Sequence, residues 1–126
     1  MSNNLMDLGA ERAVLAGILS YGLESYVEVC DVIDSDSFSH NQVIFKCIEK
    51  IIKDGAEIDL PSLLSAAKKL DLQDIINSNQ ELEYINSLME YPVKQDNVLY
   101  FAAQIKKFEF ARKINLPIKL VGILMI

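Results

Sequence analysis

Residues 39–64 read SHNQVIFKCIEKIIKDGAEIDLPSLL, and their spacing decides the fold class. Val43, Ile44, Cys47, Ile48, Ile51 and Ile52 recur at three- and four-residue intervals, which puts them on one stripe of a helix. Lys46, Glu49, Lys50 and Lys53 fill the other face. Ser39 followed three residues later by Gln42 has the form of a capping box, with Phe38 ahead of it where a hydrophobic staple belongs. Gly55 sits where a helix closes in the left-handed region. Ile58 then re-enters the core, and Asp59 with Pro61 opens a second helix running to about Leu70. Helix, glycine stop, short extended link and capped helix predict the middle of an all-α domain.

Upstream, LGAERAVLAGILSY after Asp7 offers Ala10, Val14, Leu15, Ile18 and Leu19 as one apolar face. Asp7 and Glu11 lie near its start, where negative charge suits the helix dipole. Gly17 inside this helix costs about 1 kcal/mol relative to Ala, which predicts that another element packs closely there. After Gly22, Leu23, Tyr26, Val27, Cys30 and Ile33 form a second expected stripe, and Asp34–Ser37 reads as a loop. Downstream, Asp71–Gln80 reads as a polar connection holding Leu72, Ile75 and Ile76. Ser78 with Glu81 repeats the capping box, and Leu82, Ile85, Leu88 and Met89 point inward until Tyr91-Pro92 ends the helix. A longer helix from about Asp96 carries Val98, Phe101, Ala102, Ile105 and Phe108 on one face, with Tyr100 and Phe110 elsewhere on its circumference. A helix apolar on more than one side is expected to pack on its own domain with one face and on another chain with the other. Asn115 and Pro117 stop it.

The chain of 126 residues suits one domain. Its net charge of −6 is uneven: residues 1–36 hold seven acids against the single base Arg12, while the other 90 balance. Such an acidic segment repels phosphate, so tight direct binding of nucleic acid is not expected. Near the C-terminus, Lys106, Lys107, Arg112, Lys113 and Lys119 accompany only Glu109, a pattern that fits a solvated helix end. Cys30 and Cys47 sit among apolar residues without metal-ligand spacing, and no signal peptide precedes them. Two buried, reduced thiols in a cytoplasmic protein are the expectation.

Reactive constellations are not found. The glycines are too far apart for a phosphate-cradling loop or a dinucleotide fingerprint. His40, the lone histidine, is expected to face solvent or cap a helix, and one His with two separated Cys does not compose a zinc site. Glu81 and Glu83 lie on different helix faces, and no serine has nucleophile-elbow spacing. No catalytic, cofactor or metal site is assigned, and no membrane association. The apolar ending, residues 116–126, is too short to span a bilayer, which takes about 20 residues. It reads as a strand, a docked tail or the start of a longer chain, with a fragment favoured.

Five segments in order carry a family resemblance. Ala10-Glu11-Arg12-Ala13-Val14-Leu15-Ala16-Gly17-Ile18 resembles the opening AExxVLGxxL helix of DnaB-type replicative DNA helicases. Phe38–Phe45 resembles their DFYxxxHxxIF segment, although His40 comes three positions early. Gly55–Leu60 with Leu63 resembles the GxPIDxxTL link, Leu82–Leu88 the YLxxL helix, and Asn97–Arg112 the NxxxYAxxIxxxxxxR helix. Over residues 8–114 the resemblance implies the helicase N-terminal domain: a helical bundle with a hairpin that pairs subunits in the hexamer's collar and contacts primase. ATP and Mg would belong to a separate motor domain, so this chain resembles only part of an ATP-dependent enzyme.

The resulting expectation is a small orthogonal helical bundle followed by a longer helix, the first arm of a hairpin. Its divisions are a flexible N-terminus (1–7), the bundle (8–92), a long interaction helix (93–114) and an atypical tail (115–126). The expected interface is Tyr100, Phe101, Gln104, Lys107, Phe108 and Ala111, toward helicase subunits, a second copy, primase or a helicase loader. The alternative is a stand-alone phage or plasmid protein that binds and regulates a host helicase.

Overall fold

The computed structural model describes residues 5–115, which are all-helical with no strand among them. Seven helices follow in order: α1 (Leu8–Tyr21), α2 (Leu23–Val29), α3 (Gln42–Lys53), α4 (Leu60–Lys69), α5 (Gln73–Ile76), α6 (Asn79–Met89) and α7 (Val98–Lys113). α1 is the central element and packs on α2, α6 and α7, while α3 pairs with α4 and α5 bridges α4 to α6. One core runs through all seven. It takes Leu15 and Ile18 from α1, Val29 from α2, Ile44, Phe45, Ile48 and Ile51 from α3, and Leu63 from α4. Ile76, Ile85, Leu88, Val98, Ala102 and Ile105 complete it. The rings of Phe38 and Phe45 meet at 4.8 Å, and Tyr26 stacks on Phe45 at 6.1 Å.

Most of the local signals act as read. Asp7 Oδ1 accepts from Ala10 N (3.0 Å), Asp59 Oδ1 from Ser62 N (2.8 Å) and Ser78 Oγ from Glu81 N (3.2 Å), each satisfying a donor of the first helical turn. The Asp59 carboxyl is held below its usual range by the Ser62 hydrogen bonds. Gly55, at φ +75°, closes α3. The close approach expected at Gly17 is real: a Cβ there would collide with Val98 Cγ2 of α7.

Six expectations need correction. Ser39 does not cap α3; the helix begins at Gln42 after Asn41, Gln42 Nε2 donates to Phe38 O (2.9 Å), and Ser39 turns to Glu11. The buried face of α2 is rotated from the apolar stripe: Ser25 and Val29 face in, while Leu23 and Val27 are each 57% exposed. Cys30, on that outer side, is exposed, whereas Cys47 is buried and its thiol is pushed up to about 11 by burial. Residues 5–7 are not a frayed start, because Leu5 is buried and its carbonyl accepts from Arg112 Nη1 at 2.8 Å. The connection after Asp71 is partly helical, since burial of Ile76 orders α5. Within the expected loop Asp34–Ser37, Ser35–Ser37 form a 3-10 turn that Asp34 caps in a capping box. Residues 1–4 and the expectations for the tail from 116 onward lie outside the described residues.

Candidate interaction surface

α7 is positioned by one face of small and apolar residues and by two polar anchors. Val98, Ala102 and Ile105 face α1 and α2, the first over Gly17. Two turns on, Glu109 is buried, with Lys113 Nζ at 2.7 Å and Lys106 Nζ at 3.2 Å from its oxygens. Burial pushes this carboxyl up, but hydrogen bonds from Lys113, Ser37 and Lys106 outweigh it and hold the group at about 2. Arg112 forks across the base of the bundle, donating from Nη1 to Leu5 O and from Nη2 to Ser37 O, both at 2.8 Å.

These anchors decide where the expected interface residues lie. Tyr100 is 58% exposed, its ring edge-on to Phe101 at 5.1 Å, and its hydroxyl accepts from Gln104 Nε2 at 3.2 Å. Phe101 is half-buried and packs on the bundle's own core. There it lines a cavity of about 600 Å³ with Ala10, Ala13, Pro92 and Asn97. Gln104, Lys107 and Phe108 are half-buried. Ala111 is fully buried. The six residues therefore do not form one open patch.

The open apolar surface is displaced toward α2. Leu99, Tyr100 and Phe110 of α7 are exposed, as are Leu23 and Val27 of α2, and α2 packs directly on α7. Gln95 Nε2 donates to Glu24 Oε2 (3.0 Å), tying the start of α2 to the start of α7. At the other end Val32, Ala103, Lys106, Lys107 and Phe110 line a shallow cleft of about 330 Å³. Acids flank this surface at Glu24, Glu28 and Asp31. Sequence reading missed Leu23 and Val27 because their spacing fits an inward stripe; Ser25, the residue that does turn inward, gives no apolar signal.

A second polar cluster shows what Glu11 does. It is buried, and its carboxylate accepts from Ser39 N (3.0 Å), Ser39 Oγ (2.6 Å), His40 N (3.3 Å) and Asn41 Nδ2 (2.9 Å). Tyr84 OH donates to Asn41 Oδ1 at 2.7 Å, and the Arg12 guanidinium lies over the Tyr84 ring. Ser39 Oγ donates to Glu11 Oε2 and also lies 3.0 Å from His40 Nδ1. The cluster clamps the turn ahead of α3 onto α1. Among the described residues no group of three or more His, Cys, Asp or Glu side chains could hold a metal ion, and no helix is long and apolar enough to cross a membrane.

Comparison with known proteins agrees with this architecture. A family model described as DnaB-like helicase N terminal domain matches residues 3–107. Among solved structures, the N-terminal domain of DnaB helicase from Mycobacterium tuberculosis aligns with a TM-score of 0.76 at 20% identity, covering 87% of this chain and 77% of that one. At that identity the likeness establishes the fold. No curated protein matches the chain.

Proposed function

We propose that this chain, which belongs to the DnaB-like helicase N-terminal domain family, serves as an assembly and primase-interaction module of a replicative helicase, working by protein–protein contact. One observation carries the reading: exposed large apolar side chains gather on two packed helices, Leu23 and Val27 on α2 with Leu99, Tyr100 and Phe110 on α7. Large apolar side chains left exposed on packed helices mark candidate interaction sites. The family resemblance supplies the partners, namely other subunits of the collar and primase, and assigns ATP and Mg to a motor domain. The acidity of residues 1–36 supports contact with protein rather than with nucleic acid.

Sedimentation equilibrium tests this. The chain should self-associate reversibly, and Val27→Asp with Phe110→Asp should leave a folded monomer, because both side chains are exposed and neither supports the core. A chain that stays monomeric at every concentration, or associates equally with both substitutions, would remove the assembly role. Adding a full-length replicative helicase distinguishes the stand-alone regulator, which would bind that helicase more tightly than itself.

A further inference from the structure

Residues 34–41, which lead from α2 into α3, are bonded to α7 at one point and to α1 two residues later. Among the described residues, the side-chain hydrogen bonds from α7 to other parts of the chain end at Leu5 and Ser37. Ser37 O accepts from Arg112 Nη2, while Ser39 donates to Glu11 Oε2 from both N and Oγ. Phe38 between them is fully buried against Phe45, and its backbone is extended at φ −83° and ψ 139°. Extended chain spans about 3.3–3.6 Å per residue and cannot lengthen, so these two anchors stand about 7 Å apart with no slack between them. Asn41 adds a third attachment, donating to Glu11 Oε1 and accepting from Tyr84 OH of α6.

We propose that residues 34–41 are a coupling strap, through which the C-terminal end of α7 and the Glu11 clamp on α1 are held together or released together. A shift of Arg112 moves Ser37 O, and the taut step through Phe38 passes the displacement on to Ser39. The carbonyls of Leu5 and Ser37 belong to buried residues, so loss of the Arg112 fork leaves both without that donor and favours opening of the strap. From the other end, release of Ser39 and Asn41 by Glu11 frees the strap to lift Ser37 away from Arg112. Coupling of this kind is reciprocal. The N-terminal half of α7 lies outside the path, because Val98 sits over Gly17 and Ala102 and Ile105 belong to the core. The helix is therefore fixed at one end by packing and at the other by hydrogen bonds that can open. A partner that tilts α7 on meeting its exposed flank would also loosen the turn ahead of α3. That consequence rests on the interaction role proposed above; the coupling itself does not.

Native-state amide hydrogen exchange of the full chain tests this from both ends. Arg112→Lys keeps the charge and loses the fork, and Glu11→Gln keeps the size and loses one acceptor oxygen. Exchange at each amide reports the population of its open form. Arg112→Lys should speed exchange at the Ser39 and His40 amides at least about tenfold, with Ile48 of α3 and Ile85 of α6 unmoved. Glu11→Gln should speed exchange at Ala111 and Arg112 in turn. In the double variant the two factors should not multiply, because one strap opens only once. The proposal is overturned if each substitution speeds only the amides beside it, or if the factors multiply. It is equally overturned by a rise shared evenly with α3 and α6, which would mean that the strap has no opening of its own.

Discussion

α3 and α7 are both long helices packed on one core, yet they are held in opposite ways. In α3 the apolar residues form one stripe and nearly all of them are buried, so the hydrophobic effect alone selects which side faces in. In α7 apolar residues occupy the whole circumference, with Phe110 half exposed and Glu109 buried. Burial of apolar area cannot choose among such faces. The choice falls to the Gly17–Val98 contact, the Glu109 carboxylate among Lys106, Lys113 and Ser37, and the Arg112 fork. A helix oriented by a few specific contacts keeps apolar side chains outside, and these are what a partner can use.

Four changes probe this contrast, in decreasing order of expected effect. On the α3 side, Phe45→Ala should cost about 3–5 kcal/mol in urea unfolding through lost burial and a cavity between Phe38 and Tyr26. A cost near that of Phe101→Ala, at a half-buried site on α7, would erase the distinction. Glu11→Ala should cost about 3 kcal/mol, because the amides of Ser39 and His40 and the Asn41 side chain lose their shared acceptor. Its denaturation midpoint should fall further than that of Glu11→Gln, which keeps one oxygen.

Gly17→Ala gains helix propensity but drives a methyl group into Val98, for a net loss of about 1–2 kcal/mol. Val98→Ala in the same chain should restore part of it, and additive losses would show that the contact is not what limits the approach of α1 and α7. The smallest effect is the dependence on pH through Glu109. Its pKa is depressed from 4.5 to about 2 in the fold. Its stabilisation is therefore present above the unfolded value and lost as pH falls from about 5 toward 2. Because Lys106 and Lys113 are more than half exposed, solvent screening leaves about 1–2 kcal/mol at neutral pH. Thermal unfolding of the chain and of Glu109→Gln should differ at pH 7 and converge near pH 2; a gap that widens on acidification contradicts the ion cluster.

What was legible in the sequence follows the same division. Capping by Asp7, Asp59 and Ser78, the Gly55 stop and the apolar stripes of α3 and α4 are local signals, and local physics decides them. The family was legible because five such signals occur in order. Ser39 misled because a capping box and a ligand for a buried carboxylate 28 residues away use the same hydroxyl. Glu11 looked like a dipole-compensating acid, and nothing near it in the chain announces its four donors. α2 misled because its inward face carries Ser25 and its outward face Leu23 and Val27, the reverse of a solvated helix. The surface therefore had to be read from the packing.

The most direct test of the α2–α7 surface is a dilution series followed by amide chemical shifts. Self-association through that surface predicts concentration-dependent shifts gathered in Leu23–Val32 and Leu99–Phe110, with the outer face of α3, from Lys46 to Lys53, unchanged. Shifts that are independent of concentration, or that gather on α3 and α4 instead, would contradict it.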